Sequence, residues 1–321
     1  MGLPAKTALT RLWTLHRPDV VQIATEGPLG WSALAAAGKL RLPVASDFHT
    51  NFHSYSSHYG LGLLRRAIVA YLRKFHNKAA VTLVPTEGIR RELAASGYDN
   101  LEIIGRGVDT RLFHPGRRDP ALRARWGVAP DDTVALYVGR LAAEKNLALV
   151  FRAYDAMREA HAPTRLVLVG DGPERAAWQA KRPDAVFCGT QTGETLAAHY
   201  ASGDVFLFPS LTETWGNVTI EAMASGLAVV AYDCAAAEEV IRHGENGLKA
   251  APEEALSFLR EAAALAPDRL LQRRLGAAAS ARAAQLSWDA IVDGFERVLL
   301  RLAHTHAPAG ADIGPARMRT T

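Results

Sequence analysis

Short apolar runs alternate with longer stretches in which apolar positions recur every three or four residues, and this alternation continues through most of the chain. The runs Asp19 to Thr25, Val44 to Phe48, Ala80 to Pro85, Leu101 to Ile104 and Thr133 to Val138 are rich in β-branched and aliphatic residues and bounded by turn residues, as buried parallel strands are. Between them, residues 1–17, 31–40, 61–78 and 87–96 carry helical periodicity, and a further helix is predicted from about Leu147. Gly27 to Gly30 reads as a turn. Strand and helix in strict alternation predict parallel sheets whose ligands sit at the carboxyl ends of the strands. His114-Pro-Gly-Arg-Arg-Asp-Pro120 is polar and broken by two prolines, which predicts a linker between a domain over 1–115 and a second over 116–304. Residues 305–321, rich in Pro, Gly and Ala, read as a disordered tail.

Composition narrows the class. A chain of 321 residues with 49% hydrophobic and 22% charged residues is a soluble globular one, long enough for two cores. No run of eighteen apolar residues and no signal-peptide core occur, so a cytoplasmic protein is expected. Cys188 and Cys234 belong to no ligand cluster and read as buried small hydrophobes in a reducing compartment. The residues through Pro115 hold fourteen Lys and Arg against eight Asp and Glu, whereas the remainder is slightly acidic, so the first part could face an anionic surface. Within it, Leu61, Leu64, Ile68, Leu72 and Phe75 share one helical face, with Arg65, Arg66, Arg73, Lys74 and Lys78 towards the other. That pattern fits an ordinary surface helix and a membrane-surface helix equally. No nucleic-acid partner is expected.

The chemistry concentrates in Phe208 to Val230. Glu213 and Glu221 lie eight apart, with Trp215-Gly216-Asn217 and the start of a helix between them. The first N–H groups of that helix, together with its dipole, offer a seat for phosphate. Carboxylates cannot favourably contact phosphate, so the two glutamates suit hydroxyls at either end of a ligand with phosphate in its middle. A nucleoside-diphosphate sugar has that layout, although the spacing alone carries little information. After Thr133 to Val138 comes Gly139-Arg140-Leu-Ala-Ala-Glu144-Lys145-Asn146, which places two cations at a strand's carboxyl end, where Arg and Lys can grip phosphate. Read alone, it is a surface ion pair between Glu144 and Lys145. Gly170-Asp-Gly-Pro-Glu-Arg175 lacks the third glycine of a dinucleotide loop, which argues against an NAD enzyme. In Asp47-Phe-His-Thr-Asn-Phe-His53, His49 read alone is a surface or capping residue.

The stretch around Glu213 and Glu221 resembles the signature of the retaining glycosyltransferases of family 4, which have the GT-B fold, an α/β architecture of two Rossmann-like domains facing a cleft. The resemblance implies that Glu213 binds the donor sugar, Glu221 the ribose, and the segment Thr214, Trp215, Gly216, Asn217 and Val218 the diphosphate. Gly139, Arg140 and Lys145 match the family's diphosphate motif residue for residue, and Phe187 to Gln191 would meet the base. His49, in an F-H-T-like motif, would face the donor sugar from the other domain. The implied catalytic set is His49, Arg140, Lys145 and Glu213. Arg106 replaces the usual Asn of N-G-V-D, and the last helix, capped at Ser287-Trp288-Asp289, would cross back to the first domain. Two further motifs, D-F-H-T-N-F-H-S-Y and G-R-G-V-D-T-R-L-F-H-P, most resemble bacterial GDP-mannose-dependent α-mannosyltransferases. The expected reaction is transfer of a sugar to a lipid or glycan acceptor, at the inner membrane face, without cofactor or metal. A donor-binding remnant without turnover, and a UDP-sugar-dependent transferase or epimerase of the same fold, remain as alternatives. The strand and glycine-rich loop with which family members open are not found, so the N-terminal domain is expected to be incomplete.

Overall fold

The computed structural model describes residues 2–48, 62–213 and 215–306. The chain divides into two compact units, Met1–Gly105 with Val292–Thr321, and Arg106–Ile291. The boundary falls before the proline-rich linker rather than within it. Residues 106–114 already belong to the second unit, because the Val108 N–H donates to the Leu286 carbonyl and Phe113 packs edge-on against Tyr200.

The first unit runs α1 (Lys6–Leu15), β1 (Val21–Ile23), α2 (Pro28–Leu40), β2 (Val44–Asp47), α3 (Gly62–His76), β3 (Val81–Val84), α4 (Glu87–Ala95) and β4 (Leu101–Ile103). Its four strands are parallel in the order β1-β2-β3-β4, with β1 at one edge. α2 starts three residues earlier than its periodicity suggests, because Pro28 occupies the first helical position, where its missing N–H is no loss. Val21, Ile23, Ala33, Leu34, Ala37, Val44 and Phe75 form one apolar cluster. Ala45, Val81, Leu83, Val298 and Leu302 form another, which brings in the last helix, α13 (Trp288–His306). On α3, Leu72 and Phe75 are buried as the periodicity requires, whereas Arg73 on the basic side donates to the Ser96 carbonyl at 3.1 Å.

The second unit contains α5 (Pro120–Arg125), β5 (Thr133–Val138), α6 (Leu147–Ala160), β6 (Thr164–Val169), α7 (Arg175–Lys181), β7 (Val186–Phe187), α8 (Gly193–Ser202), β8 (Val205–Phe208), α9 (Asn217–Ala224), β9 (Ala228–Tyr232), α10 (Ala235–Val240), β10 (Leu248–Ala250), α11 (Ala255–Leu265) and α12 (Arg269–Ala283). Its six parallel strands run in the order β10-β9-β8-β5-β6-β7. The middle of this sheet is wholly enclosed from Val134 to Tyr137, Leu166 to Leu168, Val205 to Leu207 and Ala228 to Val230. Such continuous apolar strands are what helices on both faces demand. From the central pair β5 and β8 the chain winds outward in opposite directions, so the loops after these two strands open side by side at the sheet's switch point.

Candidate active site

Those two loops hold most of the residues singled out above. After β5 come Gly139 and Arg140, then a single 3-10 turn over Ala143–Lys145, then Asn146 in the left-handed conformation as it caps α6. After β8 come Pro209 to Gly216 and the start of α9. Gly216 caps α9 at φ +89°, a conformation that glycine adopts without strain and that turns the chain sharply so that the helix starts at the loop. The first amides of a helix have no acceptor four residues back, although the Thr219 N–H here donates to the Gly216 carbonyl at 3.0 Å, and the helix dipole at that end favours an anion.

Side chains tie the two loops together. The Lys145 ammonium forms an ion pair with Oε1 of Glu213, and the Ser210 hydroxyl donates to the same oxygen at 3.0 Å. The Asn146 amide donates to the Pro209 carbonyl at 3.4 Å, and the Thr212 hydroxyl to the Glu144 carbonyl at 3.4 Å. The local pair anticipated between Glu144 and Lys145 does not form. Glu144 instead lies 3.8 Å from Arg140, whose side chain is 66% exposed, while those of Lys145 and Glu213 are each 18% exposed. A turn that starts at Ala143 points Lys145 across to the neighbouring loop rather than back along its own. Tyr137, buried under the β5 loop, donates to the Arg140 carbonyl at 3.1 Å and fixes where that cation begins.

Glu221 lies on the second turn of α9, on its inner side. Its Oε2 accepts a hydrogen bond of 2.8 Å from the hydroxyl of Tyr200, a residue of α8 with no exposed surface. Burial raises the carboxyl of Glu221 above its ordinary value, against the opposing effect of the Tyr200 hydrogen bond. The same burial, and then the Glu221 charge, raise the Tyr200 phenol. A ligand whose hydroxyls donate to Glu221 would restore the solvation that the carboxylate lost on folding.

The remaining expected residues are less engaged. Phe187 is half-buried, its ring 6.4 Å from that of Phe151, and the Gln191 amide folds back onto the Cys188 carbonyl at 2.8 Å. Trp215 is buried, with its Nε1 lacking a partner among the described residues. Its carbonyl accepts from the Ala236 N–H at 2.8 Å, tying the loop after β8 to α10. Asp171, in the loop that lacks the third glycine, accepts from the Gly172 N–H and from Arg175, and the former in particular lowers its pKa. The two cysteines are free and half-buried rather than buried, and Cys234 donates weakly to the Ser210 carbonyl at 3.6 Å. His49 and Thr214 lie outside the described residues. Ser210, Tyr137 and Tyr200 went unnoticed in the sequence. Ser210 stands three residues before Glu213 in an irregular loop and Tyr137 three before Arg140 across the end of β5, where no periodic pattern marks them, and Tyr200 stands 21 residues before Glu221 with β8 between.

Residues 1–112 match the profile of Glycosyltransferase Family 4, and residues 132–268 that of Glycosyl transferases group 1. A GDP-mannose-dependent alpha-mannosyltransferase of Mycobacterium tuberculosis is 36% identical over 296 residues, covering 91% of this chain and 75% of the relative. This chain belongs to the family-4 glycosyltransferases. A second GDP-mannose-dependent alpha-mannosyltransferase, from Corynebacterium glutamicum, is 35% identical over 246 residues, covering 77% of this chain and 58% of its own. The sulfoquinovosyl transferase SQD2 of Arabidopsis thaliana is 32% identical over 283 residues, covering 85% and 55%. The chain therefore spans between about half and three quarters of the length of these relatives. Among solved structures, Anabaena HepE in complex with UDP aligns with a TM-score of 0.77 at 20% identity, covering 92% of this chain and 82% of that one. Sucrose-phosphate synthase from Thermosynechococcus elongatus aligns with a TM-score of 0.76 at 20% identity, covering 94% and 77%. The fold of this family-4 glycosyltransferase is GT-B.

Proposed function

We propose that the protein transfers a sugar from a nucleoside diphosphate to a hydroxyl of a lipid or glycan acceptor with retention of configuration, and that the donor is GDP-mannose. The observation that carries this reading is the arrangement in the second unit: Arg140, Lys145 and the amino end of α9 gathered at one switch point, with Glu213 and Glu221 beside them. The choice of mannose rests on the names of the relatives in Mycobacterium tuberculosis and Corynebacterium glutamicum.

In this reading the diphosphate seats on the α9 amides, and Arg140 and Lys145 stabilise the charge that grows on it as the bond to the sugar breaks. Glu213 and Ser210 then face the sugar hydroxyls, and Glu221 takes the ribose. The Lys145 to Glu213 pair holds both side chains in place before the donor arrives, so little reorganisation accompanies the reaction. His49 closes over the sugar from the first unit. The two cations supply the charge that Mg²⁺ would otherwise bring, so the reaction proceeds without a divalent metal. The protein works in the cytoplasm, against the inner membrane face when its acceptor is a lipid. Among the described residues no helix is long and apolar enough to cross a membrane.

The test is transfer from GDP-mannose and, in parallel, UDP-glucose to a panel of lipid and glycan acceptors, with the anomeric configuration of the product read by NMR. An α-linked product from the α-linked GDP-sugar is expected. A β-linked product contradicts retention, and turnover with UDP-glucose alone contradicts the donor.

A further inference from the structure

The first unit contains a chain of buried polar side chains at its sheet. Ser46 in the middle of β2, Thr82 beside it on β3, and His76 at the end of α3 have no exposed surface. Thr82 Oγ1 lies 3.0 Å from Ser46 Oγ, Ser46 Oγ lies 3.0 Å from His76 Nδ1, and His76 Nε2 lies 3.1 Å from Oε1 of Glu26. One assignment of hydrogens gives each of these contacts a donor and an acceptor. In it Thr82 donates to Ser46, Ser46 to Nδ1, and Nε2–H to the carboxylate, while the Val81 and His76 carbonyls lie 3.5 Å from Ser46 Oγ and 3.4 Å from Thr82 Oγ1 as further acceptors. Such a relay costs desolvation that apolar residues would avoid, and what it fixes is the orientation of one carboxylate.

Glu26 follows directly on β1, at the carboxyl end of the strands, where parallel α/β sheets bind their ligands. Its main chain is held as firmly as its side chain. The Tyr71 hydroxyl donates to its carbonyl at 2.7 Å. Gly30, in the first turn of α2, packs so closely on the preceding residue that a Cβ there would come 2.0 Å from the Thr25 carbonyl oxygen. The side chain of Glu26 is 14% exposed, and its Oε2 has no partner among the described residues. No group of three or more His, Cys, Asp or Glu that could hold a metal exists among them, so that oxygen suits a hydroxyl donor better than a cation.

We infer that Glu26 is an acceptor-binding residue, which takes a hydroxyl of a polyhydroxylated acceptor, a sugar or a polyol, and that His76, Ser46 and Thr82 are its positioning residues. This deepens the transferase reading and rests on it for the word acceptor. The site itself lies within the first unit and needs no donor to be measured.

Saturation-transfer NMR titrations of the full chain with glycerol, myo-inositol and methyl α-D-mannopyranoside, without nucleotide sugar, provide the test. At least one polyol is expected to bind saturably. Glu26→Gln, which keeps the contact with His76 but loses the charge, should raise its Kd about tenfold or more. His76→Asn should weaken binding, and His76→Gln, with an amide N–H able to reach Glu26, should recover most of it. A purely structural relay would instead lower the melting temperature of His76→Asn and leave the polyol Kd unchanged. That result, the absence of saturable binding by the unaltered chain, or an unchanged Kd in Glu26→Gln would each overturn the assignment. A nucleotide-sugar titration of the same sample reads separately. Its failure would overturn the donor reading and leave the result for Glu26 standing.

Discussion

The two units solve the same architectural problem with opposite placements of polarity. In the second, the middle of the sheet is apolar, with Thr133 and Thr164 buried at the amino ends of β5 and β6, and Lys145, Glu213 and Ser210 meet on the loops after β5 and β8. In the first, polar side chains enter the sheet itself, in the relay from Thr82 to Glu26. An apolar sheet tolerates any loop that begins at its edge, so the donor loops can carry a cation, an acid and a helix end without disturbing the core. A polar relay ties a single outer carboxylate to the packing of three elements. Each unit can therefore be altered at a different cost: the loops after β5 and β8 at little cost to folding, the relay only at some.

The largest effect should come from a charged cluster around Asp204 in the second unit, at the amino ends of its strands and at the opposite end of the sheet from the loops after β5 and β8. Asp204, just before β8, accepts from Arg118 at 2.8 Å and from Arg123 at 2.9 Å, and lies 3.6 Å from Arg269. Burial lowers the pKa of Arg123 and the Asp204 charge opposes it, so neither can lose its partner cheaply. Asp204→Ala should destabilise the protein by about 3–5 kcal/mol in denaturant unfolding, since it leaves Arg123 buried and unpaired. Loss of under about 1 kcal/mol would show that the arginines are sufficiently held by the Ala201, Ser202 and Gly203 carbonyls.

Next in size is Lys145→Ala. Removing one group that stabilises the leaving diphosphate typically costs about 3 kcal/mol, roughly a hundredfold in kcat. Because Lys145 stands on a loop, its melting temperature should stay within a few degrees of the unaltered protein, which sharpens the contrast with Asp204. A large loss of stability with unchanged kcat would reverse the roles assigned to the two clusters.

A smaller effect separates the two glutamates. Burial raises the Glu221 pKa, so the folded state holds a proton there more tightly than the unfolded chain does. That group therefore costs stability above its folded pKa, and the cost fades as pH falls through that value towards 4.5. Glu221→Gln, which still accepts from Tyr200, should accordingly be more stable than the unaltered protein near neutral pH, with the difference shrinking in mildly acidic buffer. Thermal unfolding across that range checks it, and a difference that grows on acidification would contradict the sign. The smallest expected effect is that of EDTA on transfer, which should be none, and full rescue by Mg²⁺ or Mn²⁺ after a complete loss would contradict a diphosphate site charged by Arg140 and Lys145 alone.

The comparison also separates what could be read from the chain and what could not. The strand from Thr133 to Val138 and the helix at Asn217 were legible because burial on both faces and a glycine cap leave local signals. So were the two loops that meet, since each carries its motif directly after a strand. The partners were not legible. Lys145 reads as paired with Glu144 one residue away, and only the adjacency of β5 and β8 sends it to Glu213, sixty-eight residues on. Tyr200 under Glu221 and His76 behind Glu26 are likewise joined by topology, twenty-one and fifty residues apart, which no periodicity records. The early start of α2 escaped because Gly27-Pro28 signals both a turn and a helix start.

In the proposed function the second unit builds the donor site from Arg140, Lys145, Glu213, Glu221 and the start of α9. Isothermal titration of GDP-mannose into the full chain and into Glu221→Ala measures it most directly. Saturable one-to-one binding by the unaltered chain, weakened about tenfold or more by Glu221→Ala, is the predicted result. Equal affinity in the two proteins would mean that the nucleotide sugar binds elsewhere and that the cluster around Lys145 and Glu213 serves another purpose.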